Sequence, residues 1–170
     1  NVSCPNVVGL TALQDVSFLG EIVDKLLDLR MYYDTYKPIL LKVSPDLAHQ
    51  QLDEIIDYCL RSGIDGIVAG NTTRSRDGIT SIPKEKIEEI GNGGLSGAPL
   101  YSKNLELVKY VHAKSEGKLP IIGVGGIMTP EQAKEVLDAG ASLVEIYSGF
   151  IYEGPALIRN INKYLENTAK

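Results

Sequence analysis

Short apolar runs bounded by Gly or Pro alternate along this chain with amphipathic stretches whose hydrophobic residues recur at helical spacing. Ile39 to Val43, Gly66 to Gly70, Pro120 to Val124 and Ser142 to Tyr147 read as short strands, and Asn1 to Ser3 as the last turn of an earlier one. Helices are predicted between them. The first runs from about Ser17 to Met31, with apolar Phe18, Ile22, Val23, Leu26, Leu27 and Leu29, and Pro38 stops that segment. Pro45-Asp46-Leu47 leads into the second, Gln50 to Ser62, which turns Leu52, Ile55, Ile56 and Cys59 or Leu60 inward. Lys103 to Lys114, Pro130 to Ala139 and Pro155 to Glu166 complete the set.

Strands and helices in strict alternation are the mark of parallel βα units. The expected fold class is therefore α/β, with about four βα units in one domain over residues 1–170. A closed (β/α)8 TIM barrel takes roughly 250 residues, so this is about half of one. Residues 73–101 break the rhythm, because about thirty residues separate a strand from its helix where roughly two to six are usual. Such an insertion serves a site as a lid or ligand clamp. Within it, the run Glu85 to Glu89 with Lys84 and Lys86 reads as a solvated helix face.

Charge and composition narrow the function. The chain is 44% hydrophobic and 23% charged, with a formal net charge of -5 and no basic block, so a nucleic-acid partner gains no support. The apolar runs fall far short of the roughly 18 residues a membrane span requires. Two cysteines, Cys4 and Cys59, suit a reducing compartment. Cys59 lies on the apolar face of a predicted helix and packs as a small hydrophobe. The opening Asn1-Val2-Ser3-Cys4-Pro5-Asn6 lacks an initiator Met and the basic head and apolar core of a signal peptide, and reads as a chain entered midway.

Polar clusters fall at the C-terminal ends of the strands, where barrels of this kind gather their active sites. They are Asn1 to Asn6, Lys42 to Asp46, Gly70-Asn71-Thr72-Thr73, Gly123-Val124-Gly125-Gly126 and Tyr147-Ser148-Gly149. The glycine run would let backbone N–H groups approach a phosphate, helped by the positive end of the helix that follows. It is not a dinucleotide fingerprint, because Met128 stands where the third glycine would be. Its place after one of the last two strands strengthens the phosphate reading, since such loops commonly hold phosphate in these barrels. Lys42 ends an apolar strand and would be costly to bury without an anion or electron-rich ligand, so a ligand contact is the better reading. Asn6, Asn71 and Thr72 suit either a ligand or a local turn. Cys4, beside Pro5, can act as base or nucleophile if its surroundings lower its pKa. His49 and His112 are isolated, without metal-ligand spacing, and read as surface residues; no metal is expected.

Taken together, Asn-Val-Ser-Cys-Pro-Asn, Leu-Lys-Val-Ser-Pro-Asp-Leu, Gly-Asn-Thr-Thr-Arg-Ser-Arg, Gly-Gly-Leu-Ser-Gly-Ala-Pro-Leu and Ile-Ile-Gly-Val-Gly-Gly-Ile resemble the dihydroorotate dehydrogenases over essentially all 170 residues. The resemblance implies the C-terminal half of a (β/α)8 barrel that binds FMN and oxidises dihydroorotate to orotate in pyrimidine biosynthesis. By it, Asn1, Lys42, Gly70, Gly97, Val124, Gly126, Tyr147 and Ser148 fall on positions that hold FMN, with Ser96 and Gly125 beside them. The family pattern has Thr where this chain has Gly70, so no side-chain contact is offered there. Asn1, Asn6, Asn71 and Thr72 match the amides and hydroxyl that grip the substrate, whose flat ring of carbonyls and N–H groups suits Asn, donor and acceptor at once.

Cys4 matches the catalytic base that takes the C5 proton while hydride leaves C6 for the flavin. Three motifs resemble the membrane-associated, quinone-linked branch, whose base is Ser, whereas Cys resembles the soluble branch. The quinone branch is the expectation, with a full-length protein peripheral on the cytoplasmic side of the membrane and this stretch itself soluble. Quinone contact is expected through an N-terminal region not present here, and the 170 residues alone are expected to be inactive and to self-associate through exposed strand edges. The alternatives are another FMN barrel, such as a tRNA dihydrouridine synthase, which the acidic balance disfavours, and a non-catalytic phosphate-binding half barrel.

Overall fold

In the computed structural model, which describes residues 2–3, 15–77 and 79–168, four short strands lie parallel and in chain order. They are β1 (Leu40–Val43), β2 (Gly66–Ala69), β3 (Ile121–Val124) and β4 (Leu143–Glu145). Around them run α1 (Val16–Arg30), α2 (His49–Ser62), α3 (Lys84–Ile90), α4 (Tyr101–Lys114), α5 (Pro130–Asp138), α6 (Ser148–Glu153) and α7 (Pro155–Thr168). Parallel strands joined in sequence by helices, with no reversal of strand order, are consecutive βα units of a (β/α)8 barrel.

Side-chain alternation separates the two faces of the sheet. Leu41, Val43, Ile67, Ala69 and Ile121 point into one core with Leu52, Ile55, Ile56, Val108 and Val111 of the covering helices. On the opposite face Lys42, Val68, Ile122 and Leu143 stand in register across all four strands, outside that core. The helices follow local rules. In α2 the buried Leu52, Ile55, Ile56 and Cys59 keep an i, i+3, i+4, i+7 stripe, and the helix stops at Gly63 in the left-handed region. Burial pushes the Cys59 thiol up to about 12, which suits a packing role. Asp65 links the other end of the sheet to α1 by accepting from Arg30 at 2.8 Å, the Ile39 N–H at 2.7 Å and the Tyr36 hydroxyl.

Most expected elements appear within a residue or two of their predicted ends. Three differences matter. The last strand is shorter than Ser142 to Tyr147, because Ile146 and Tyr147 leave the ladder to carry the chain across the strand ends. Helix α6 was not anticipated, since its six residues give too little periodicity to read. The helix expected from Lys103 starts at Tyr101, so the insertion ends one residue earlier than predicted, in a short 3-10 turn over Ala98–Leu100. The charged run inside the insertion is α3, which buries no residue. An isolated antiparallel bridge between Thr73 and Leu95 closes the insertion at its base. Val2 and Ser3 are not in a strand, and Asn1, Cys4 and Asn6 lie outside the described residues.

Candidate functional site

A cavity of about 430 Å³ opens where the strands end, on the side reached by their C-termini. Each βα junction supplies part of its wall: Lys42 from β1, Asn71 and Thr72 after β2, Gly125, Gly126 and Ile127 after β3, and Glu145, Ile146, Tyr147 and Ser148 after β4. The returning arm of the insertion adds Ser96, Gly97 and Leu100, and Val124 completes the lining. That volume lies in the range of small-molecule sites, about 300–1,000 Å³.

Lys42 and Glu145 face each other in this cavity, with Nζ and Oε2 3.5 Å apart and side chains 25% and 47% exposed. A protein carboxylate therefore supplies the counter-charge that the sequence reading assigned to a ligand. A pair this long and this solvated is weak, about 0–1 kcal/mol, and a ligand can displace it.

Opposite them the chain turns sharply at Gly125 (φ +116°) and Gly126 (φ +78°), a region where side chains are strained. Contact forbids them too: a Cβ on Gly126 would lie 2.4 Å from the Tyr101 backbone, and one on Gly125 would lie 1.8 Å from Nδ2 of Asn104. The turn is thus pressed onto the first turns of α4. Nδ2 of Asn104 donates to the Val124 carbonyl at 2.6 Å. Behind it the Tyr101 hydroxyl donates to Glu135 of α5 at 2.5 Å, and burial together with that carboxylate pushes the phenol pKa far up. The start of α5, expected to aid anion binding, is instead closed by its own capping box. Gln132 N–H donates to Thr129 Oγ1, while the Met128 and Thr129 N–H groups donate to Gln132 Oε1. Backbone of the glycine turn, not the α5 terminus, faces the cavity.

The third wall is held from below. Nδ2 of Asn71 donates to Ser3 Oγ at 2.8 Å and Oδ1 accepts the Thr72 N–H at 2.9 Å. Asp46, just past β1, accepts from Thr73 Oγ1 at 2.5 Å, from the Arg74 N–H at 2.8 Å and from the Lys103 ammonium. Burial alone would raise its pKa, but these donors outweigh burial and hold the carboxyl below its usual range. The Arg76 guanidinium gathers the Thr73 and Ser75 carbonyls on one arm of the insertion with those of Gly91 and Gly93 on the other. The two arms are thereby fixed, and the Ser96 hydroxyl comes within 3.3 Å of Ser148. A larger open groove of about 800 Å³ between α2 and α4 lies outside the strand ends. Its charged groups are paired with one another, Lys103 with Asp46 and Lys109 with Glu106, so the smaller cavity is the better candidate.

Of the residues singled out in the sequence, Lys42, Asn71, Thr72, Ser96, Gly97, Val124, Gly125, Gly126, Tyr147 and Ser148 meet in one cavity. Gly70 stands behind its wall, packed against the Val124 carbonyl and Asn104. The sequence reading missed Glu145, Leu100, Ile127 and Ile146. Glu145 was legible: a lone carboxylate in Leu-Val-Glu-Ile mirrors the lone lysine of Leu-Leu-Lys-Val.

The dihydroorotate dehydrogenase family model matches residues 1–168. The chain is similar to a dihydroorotate dehydrogenase (quinone) of Christiangramia forsetii, 47% identical over 163 residues, covering 96% of this chain and 46% of the relative. It is also similar to one of Salinispora arenicola, 45% identical over 159 residues, covering 94% and 44%. Among solved structures, a dihydroorotate dehydrogenase of Eimeria tenella in complex with ferulenol superposes with a TM-score of 0.89 at 29% identity, covering 99% of this chain and 48% of that one. The chain thus spans about half the length of the relatives it matches.

Proposed function

This chain belongs to the dihydroorotate dehydrogenase family, and on that premise we propose that its cavity is the FMN and substrate site of an enzyme that oxidises dihydroorotate to orotate. The reading rests on one observation: four βα junctions and the insertion converge on a single cavity that carries a cation, side-chain amides and hydroxyls, and a glycine turn. Since the chain spans about half the length of its relatives, the activity is proposed for the polypeptide that joins these units to the rest of a barrel. The 170 residues by themselves are proposed to be inactive.

The residues fit the cofactor. Gly125 and Gly126 pack against α4 at positive φ while lining the cavity, and their backbone is proposed to meet the phosphate there, as in anion-binding turns. Lys42 is proposed to face the flavin ring system and to stabilise negative charge on it, exchanging Glu145 for the ligand. Ser96, Gly97, Tyr147 and Ser148 line the same wall and are proposed to enclose the cofactor. FMN, once bound, supplies a two-electron acceptor for the substrate. Asn71 and Thr72, with Asn1 and Asn6, are proposed to hold the substrate ring, and Cys4 to accept its C5 proton. An unperturbed thiol titrates near 8.5, so Cys4 requires surroundings that favour the thiolate if it is to work at neutral pH.

Quinone is the proposed electron acceptor, as the names of the relatives suggest. Tyr147 lines the cavity, and the exposed Phe150, Ile151 and Tyr152 that follow it on α6 are proposed to offer an apolar approach for the acceptor. No helix among the described residues is long and apolar enough to cross a membrane. Peripheral association on the cytoplasmic side is proposed to depend on sequence N-terminal to these units. The test is anaerobic addition of dihydroorotate to the barrel-length polypeptide while flavin absorbance is recorded. Bleaching that a soluble quinone reverses supports the proposal. A protein that copurifies without flavin, or a flavin that ignores dihydroorotate, overturns it.

A further inference from the structure

We propose that Asn104 is a positioning residue that sets the glycine turn for phosphate and so selects FMN over unphosphorylated flavin. The inference rests on the cofactor reading above and deepens it. Asn104 projects from the first turns of α4 and is 3% exposed. Its Nδ2 donates to the carbonyl of Val124, the residue that ends β3, and its Oδ1 is buried with no hydrogen-bond partner among the described residues. The reverse orientation of the amide would set two oxygens against each other, so the donor must face Val124.

An orphaned buried carbonyl is unfavourable, and an apolar side chain at this position would leave none. The arrangement is accounted for if the N–H donor is what the position requires. That donor acts where the chain changes direction. It fixes the plane of the Val124–Gly125 peptide, and Gly125 lies so close that the amide leaves no room for a Cβ. Gly70, at the end of the neighbouring strand, would bring a Cβ within 3.1 Å of the same amide, so Asn104 sits under two adjoining strand ends. The orientation of the Gly125 and Gly126 N–H groups is thereby tied to one side chain that does not itself line the cavity.

Flavin titrations of wild type, Asn104→Leu and Asn104→Asp test this in the barrel-length polypeptide. Asn104→Leu is expected to weaken FMN binding at least tenfold while riboflavin affinity stays within twofold. In Asn104→Asp the buried carboxyl has a raised pKa; ionised, it cannot donate to Val124, whereas protonated it can. The FMN-to-riboflavin ratio of that variant, taken relative to wild type at the same pH, is expected to recover on acidification. An unchanged ratio in Asn104→Leu, or an equal loss of both flavins, overturns the proposal, because a space-filling residue would not distinguish them. Amide chemical shifts separate this from failure of the cofactor reading. If wild type binds neither flavin, the FMN site is wrong, and the positioning role is then judged on the amide resonances of Gly125, Gly126 and Ile127. Displacement of all three in Asn104→Leu, with core amides such as that of Val111 unmoved, supports it, and unmoved resonances at the turn overturn it.

Discussion

Lys42 and Glu145 meet at 3.5 Å although one leaves β1 and the other β4, the two outer strands of the sheet. In a flat sheet three strand spacings would hold their backbones about 14 Å apart. Curling of the sheet, with its helices on the outside, brings the two side chains together across the cavity. The pairing sets a competition between Glu145 and any anionic or electron-rich ligand for the same ammonium group. Glu145→Gln is expected to change stability by less than about 1 kcal/mol and to tighten flavin binding a few-fold. Lys42→Met should weaken binding by about ten- to a hundredfold, the span of hydrogen bonds to charged groups, about 1.5–3 kcal/mol. Fluorescence titration measures both, and equal affinities in all three proteins would remove Lys42 from the site.

Gly126→Ala probes the turn itself. The new methyl must sit at positive φ and collide with the Tyr101 backbone, which has no flexible end to swing aside. A loss of at least about 2 kcal/mol is expected from backbone strain and overlap together. Urea unfolding followed by circular dichroism gives the value. A loss below about 0.5 kcal/mol would mean that the turn can open, and that its close packing on α4 is not a constraint.

Asp46 makes stability depend on acid. Its folded carboxyl titrates below the usual 3.8, so on acidification the unfolded chain takes up its proton first. The stabilisation is therefore fully present above about pH 5 and lost as the pH falls through the folded pKa, below 3.8. An amide at this position would keep the shape without the charge: Asp46→Asn is expected to cost about 1 kcal/mol at pH 7, with the gap from wild type closing below pH 4. Unfolding curves at pH 7, 5 and 3 check this, and a gap that stays constant would rule out the charge as its source.

The chain alone is expected to pair with itself. Among the described residues β1 and β4 each have a single strand neighbour, and Leu143 on β4 is 62% exposed. Open edges with apolar side chains invite another strand. Sedimentation velocity should show association that rises with concentration and that Leu143→Lys suppresses; a concentration-independent monomer would contradict the idea.

Much of this architecture was readable from residue order, and the reasons are local. Leu52, Ile55, Ile56 and Cys59 announce α2 because their spacing matches one helix face, and polar residues after apolar runs announce the strand ends. The glycine turn could be seen as a turn. That its backbone rests on Tyr101 and Asn104 could not, because those contacts join residues about twenty positions apart through packing that leaves no periodic trace. That Glu145 stands beside Lys42 was hidden for a related reason: the two become neighbours only once the sheet curls. Helix α6 was lost because a single short helical segment falls below the length at which periodicity is visible.

The Thr73–Leu95 bridge isolates the tip of the insertion from the cavity. Both backbone bonds of the bridge form, Thr73 N–H to Leu95 carbonyl at 3.1 Å and the reverse at 2.8 Å, and α3 beyond it buries nothing. Residues 74–94 are a closed loop whose ends are already fixed. Adding or removing residues near α3 changes the closure entropy only as the logarithm of loop length, so that stretch can diverge, shorten or carry a grafted sequence while Ser96 and Gly97 keep their place.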